Sequence, residues 1–212
     1  MPSRPLNAFH VLFIAFLGLF TLNAQAAGNN FQLLDAARAG DKALVIRLLD
    51  EGTPIDAIDG MENSPLLLAT EHRRREVVEL LLERGADIQA DNKYSYTPLM
   101  LAVVNNDRPM AELLLAKGAH VDAENYYTGA TPLMIAADND SPELAELLLA
   151  KGANINARDG RGRTALMHAA SARHKTIFTW LLAHGADGTI KDDAGKTARD
   201  LAPATWPVAA PQ

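Results

Sequence analysis

Apolar residues come in short blocks separated by polar turns, and the blocks recur at a fixed interval. Ser64-Pro65-Leu66, Thr97-Pro98-Leu99, Thr131-Pro132-Leu133, Thr164-Ala165-Leu166 and Thr197-Ala198-Arg199 open equivalent segments, at spacings of 33, 34, 33 and 33 residues. Twenty-one residues after each of the first four starts comes Gly85, Gly118, Gly152 or Gly185, each followed by alanine. Gly52 carries the series back to a first segment near Phe31.

Each segment predicts a helix, a turn, a second helix and a polar loop. Thr97 and Thr131 are expected N-caps, their hydroxyls accepting from freed amides, with proline at the first helical position where a missing N–H is harmless. Asp107-Arg108-Pro109 and Ser141-Pro142 repeat the device for the second helix. The triplets Leu113-Leu114-Leu115 and Leu147-Leu148-Leu149 supply its buried face, and Gly118 or Gly152 ends it by taking the left-handed conformation cheaply.

The segments "TPLMLAVVNNDRPMAELLLAKGAHVDA" and "TPLMIAADNDSPELAELLLAKGANINA" closely resemble the ankyrin repeat. The resemblance covers about residues 31–202. It implies an all-α solenoid of stacked helix pairs with β-hairpin-like loops projecting along one edge, and a role in binding other proteins. The implied repeats lie near 31–63, 64–96, 97–130, 131–163 and 164–196, in a domain spanning 27–202 that closes with a partial cap at 197–202.

The chain departs from the family pattern in places. The histidine expected after Thr-Pro-Leu is replaced by Leu67, Met100, Met134 and Met167, which turns a hydrogen-bonding site into apolar packing. Arg47 stands where a buried leucine is expected, as suits a terminal repeat with one face in water. Pro203 and Pro207 block a second helix after the last start. The tail, 203–212, is therefore expected to be irregular, with Trp206 folding back over the last repeat.

Residues 1–26 fall outside this pattern. Arg4, an apolar run from Val11 to Phe20 and a final Ala24-Gln25-Ala26 have the order of a secretory signal peptide cleaved after Ala26. The run is shorter than the roughly 20 residues of a spanning helix. The expected compartment is periplasmic or secreted, in line with a resemblance to exported bacterial ankyrin proteins, with no membrane association after cleavage.

Loss of Arg4 leaves 19 basic against 26 acidic side chains, a net charge of −7, which disfavours nucleic acid and anionic membranes as partners. The chain has no cysteine, so disulfides, thiolate metal sites and a cysteine nucleophile are excluded. A monomer is expected.

Candidate chemistry is sparse. Methionines at one repeat position would lie about 8 to 10 Å apart in stacked helices, too far to share an ion, so they are read as core packing. His72, His120, His168, His174 and His184 occupy different repeat positions and form no recognisable zinc site. No Gly-x-Ser-x-Gly elbow, phosphate-binding glycine loop or isolated carboxylate pair is present. No catalytic residue, metal or cofactor is expected, and a hydrolase or metal-handling protein using the groove is the alternative reading. The basic runs at His72–Arg75 and Arg173–Lys175 are read as solvated helix ends.

The loops before each threonine are more informative. They read Asp59-Gly60-Met61-Glu62-Asn63, Asn92-Lys93-Tyr94-Ser95-Tyr96, Asn125-Tyr126-Tyr127-Thr128-Gly129-Ala130 and Asp159-Gly160-Arg161-Gly162-Arg163. All four tyrosines of the chain are here, and the third loop holds the extra residue of the 34-residue spacing. Tyrosine and arginine often carry interface energy. Tyr94, Tyr96, Tyr126, Tyr127, Met61, Arg161 and Arg163 are therefore the expected contact residues for a protein partner, such as a periplasmic enzyme or toxin.

Overall fold

The computed structural model describes residues 28–206; the expected leader and residues 207–212 lie outside them. Among the described residues eleven helices follow one another: α1 (28–39), α2 (Lys42–Asp50), α3 (Pro65–Glu71), α4 (Arg75–Glu83), α5 (Pro98–Val104), α6 (Arg108–Ala116), α7 (Pro132–Asp138), α8 (Pro142–Ala150), α9 (Ala165–Ala172), α10 (Lys175–Ala183) and α11 (Ala198–Leu201). Helices α1 to α10 form five antiparallel pairs, and α11 caps α9. The architecture is an all-α solenoid of stacked helix pairs.

First helices pack more extensively against their neighbours in the stack than second helices do. Small buried residues, Ala69, Ala102, Ala136 and Ala169, permit that packing. One apolar core runs the length of the stack, including Leu66, Leu81, Leu99, Leu114, Leu133, Leu148, Leu166 and Leu181. Leu67, Met100, Met134 and Met167 are fully buried in line with one another, as apolar packing requires.

The helix ends follow the expected chemistry only in part. Ser64, Thr97 and Asp107 accept from the backbone N–H groups of Leu67, Met100 and Met110 at 3.2, 3.3 and 3.0 Å. Thr131 does not: its buried hydroxyl has no hydrogen-bond partner, and the sulfur of Met134 faces its N–H at 3.5 Å. Ser141 also departs, turning its hydroxyl away from the helix to donate to Asn106 at 2.6 Å. Pro109 is the second residue of α6, after Arg108. Gly118 and Gly152 have φ of +96° and +91°, as the ending of the second helix demands.

The ends of the stack are finished differently. Arg47 is exposed and pairs with Glu51 at 3.8 Å. At the other end Trp206 is buried, its ring 5.0 Å from that of Phe178, while Arg199 donates to the carbonyls of Pro203, Ala204 and Trp206. Residues 203–206 are thus folded back on the last repeat.

Candidate partner-binding site

Each loop is built around an Asp or Asn whose side chain replaces a missing backbone partner. Asp59 Oδ1 accepts from the N–H groups of Met61 and Asn63, Asn92 Oδ1 from Tyr94 and Tyr96, and Asp159 Oδ1 from Arg161 and Arg163. The pivot's own N–H then donates across the tip, Asp59 to Asn63, Asn92 to Tyr96, Asn125 to Ala130 and Asp159 to Arg163, which closes a hairpin-like turn.

Successive loops are bolted together. Lys93 N–H donates to Met61 O at 2.9 Å, Gly160 N–H to Thr128 O at 2.9 Å, and Asp193 N–H to Arg161 O at 3.0 Å. The joint between the second and third loops differs. There the side-chain amide of Asn125 donates to Tyr94 O at 2.7 Å and Ser95 O at 3.0 Å. The extra residue is thereby accommodated, and the Tyr126 ring is left 85% exposed.

Three of the four tyrosines project from the tips. Tyr94 and Tyr127 are exposed, and Tyr126 meets Tyr127 edge to face at 5.4 Å between ring centres. Tyr96 is not with them: it is half-buried and lines a hollow of about 250 Å³ below the tips, together with Asn125, Ile135, Asp138, Arg163 and His168. Met61 stands exposed on the first tip. Arg161 is exposed, while Arg163 is half-buried and bound to Asp159 through Nε at 3.0 Å and Nη2 at 2.8 Å.

The floor of this hollow holds what the sequence reading missed. Buried His168 on α9 has Nδ1 3.0 Å from Asp138 and Nε2 3.1 Å from Asp159 Oδ2. Other repeats carry Leu68, Leu101 and Ile135 at this position, so a lone histidine in an apolar register was the signal available. The two carboxylates face opposite edges of the ring, and the three groups do not converge on one point.

Burial opposes ionisation of Asp159, but the N–H groups of Arg163 and Arg161, the Arg163 guanidinium and His168 outweigh it and hold its carboxyl below the ordinary range. The side chain is almost wholly buried, with 1% exposure.

The basic turns prove more than solvated ends. Arg73 donates to Asn105 O, Arg74 to Arg38 O, Arg75 to Pro109 O and Arg108 to Glu143 O, each spanning to a neighbouring repeat. These arginines staple the stack. Arg173 makes no such bond.

A family model for ankyrin repeats in three copies matches residues 33–125 and 122–192. The chain belongs to the ankyrin repeat family, whose members are typically protein–protein interaction modules and usually non-catalytic scaffolds. No curated protein matches the chain. No helix among the described residues is long and apolar enough to cross a membrane.

Proposed function

We propose that the protein is a non-enzymatic binding module, exported through the leader at residues 1–26, that holds a protein partner against its loop tips and the adjoining inner face. The observation that carries this reading is the exposure of Tyr94, Tyr126 and Tyr127 on neighbouring tips that are hydrogen-bonded to one another. Large aromatics left in water on a fixed support supply contact area at small entropic cost on binding. The support is rigid because each loop is pinned by its own pivot residue and by the next loop.

A photo-reactive amino acid placed at Tyr126 tests the reading. In cells it should give one adduct of defined mass, in the exported fraction. The same group at Glu112, exposed on the second-helix side of the stack, should give none. Equal labelling from both positions, or from neither, contradicts the proposal.

A further inference from the structure

Resting on that reading, we infer that the cleft between the third and fourth loops receives a carboxylate side chain, aspartate or glutamate, from the protein partner. The cleft has a volume of about 310 Å³ and is lined by Tyr127, Thr128, Asp159, Gly160, Arg161 and Arg163. Its one internal anion is already spent. Asp159 accepts from two backbone N–H groups and from two nitrogens of Arg163, and it faces His168 as well. A carboxylate offers about four lone-pair sites, so it has no capacity left for the Arg161 guanidinium.

Arg161 is consequently unpaired. Among the described residues, Arg161 and Arg173 are the two arginines whose side chains make neither a hydrogen bond nor an ion pair. Arg173 stands apart, in the turn after α9. Arg161 instead lines the cleft, as does Tyr127.

Its backbone is held on both sides. Gly160 N–H binds the third loop, Arg161 O accepts from Asp193 N–H, and a Cβ at Gly129 would lie 2.5 Å from Gly160 N. An unpaired guanidinium on a held backbone, in a cleft that Tyr127 also lines, is complementary to a planar carboxylate, which it can engage through two parallel N–H bonds.

The probe is the peptide acetyl-Gly-Glu-Tyr-Glu-Gly-amide, titrated into isotope-labelled protein and followed by NMR, with Gln-for-Glu and Lys-for-Glu peptides alongside. The Glu peptide should shift the amides of 126–129 and 160–163 and the Arg161 side-chain signal, with affinity at least several-fold above the Gln and Lys peptides. Arg161→Gln should erase that preference and leave the melting curve unchanged, whereas Arg173→Gln should retain it. Equal affinity for Glu and Gln peptides, shifts centred away from the cleft, or a preference surviving Arg161→Gln would overturn the inference. A Tyr126 photo-adduct undiminished by Arg161→Gln would sink the carboxylate contact alone. Loss of the adduct from the otherwise native protein would sink the binding reading itself.

Discussion

His168 Nε2 lies 3.1 Å from Asp159 Oδ2, so a helix of the fifth repeat grips the pivot of the loop that precedes it. Nδ1 of the same ring faces Asp138, the last residue of α7, at 3.0 Å. Each ring nitrogen faces a carboxylate oxygen. One side chain thus ties together two first helices and a projecting loop.

Removing this pivot should hurt more than removing its counterpart in the first loop. Asp159→Ala removes the partner of buried His168 Nε2 and of the Arg163 guanidinium as well as the loop's own acceptor, at a cost of about 2 to 3 kcal/mol. Asp59→Ala loses hydrogen bonds to Met61 and Asn63 and should cost about 1 kcal/mol. Urea unfolding of the two variants checks the order; equal losses would show that the His168 and Arg163 contacts contribute nothing.

Acid should weaken the fold through the same groups. The folded-state carboxyls of Asp159 and Asp59 are held below the ordinary aspartate value by the hydrogen bonds they accept. Their stabilisation is therefore present above the unfolded-state value and is lost as pH falls through the lower folded-state one. Thermal melts between neutral pH and about pH 2 should show this decline. Asp159→Asn should flatten it, and a decline of unchanged steepness would count against the assignment.

Two backbone positions should respond in opposite directions. Gly129 has φ +70°, and an added Cβ would strike Gly160 N at 2.5 Å, so Gly129→Ala should cost about 1 to 3 kcal/mol. Arg173 has φ +63° and a side chain without a hydrogen bond, so Arg173→Gly should gain about 0.5 to 1 kcal/mol by relieving left-handed strain. Denaturation midpoints with unchanged slopes decide both.

In the core, Leu114→Ala or Leu148→Ala should cost about 2 to 5 kcal/mol through the cavity left at a fully buried position. Circular dichroism melts measure it. A loss below about 1 kcal/mol would mean that the stack closes around the gap.

The repeat was legible because its punctuation is chemical. Pro98 and Pro132 at helix starts and Gly118 and Gly152 past helix ends mark boundaries that tertiary packing does not move. The caps were less legible, since Thr131 and Ser141 have the right side chains but turn them elsewhere, and only three-dimensional neighbours decide that. The staples of Arg73 to Arg75 and Arg108 were hidden for the same reason: their acceptors are carbonyls roughly one repeat away in sequence. Ser95 takes a left-handed backbone, φ +60°, which breaks the alternation that would have set Tyr96 on the side of Tyr94, and only the folded loop reveals this. His168 was overlooked because its partners, Asp138 and Asp159, come from a neighbouring helix and a loop.

The central claim is tested most directly by replacing Tyr94, Tyr126 and Tyr127 together with alanine and measuring capture of the partner from native extract beside a thermal melt. These rings are exposed, and stability in a solenoid resides in buried faces within and between repeats. The melting curve should therefore match the native protein, while capture falls by about 1 to 2 kcal/mol or more for each true hot spot, enough to abolish it on a washed resin. Undiminished capture by a variant that melts like the native protein would contradict the account.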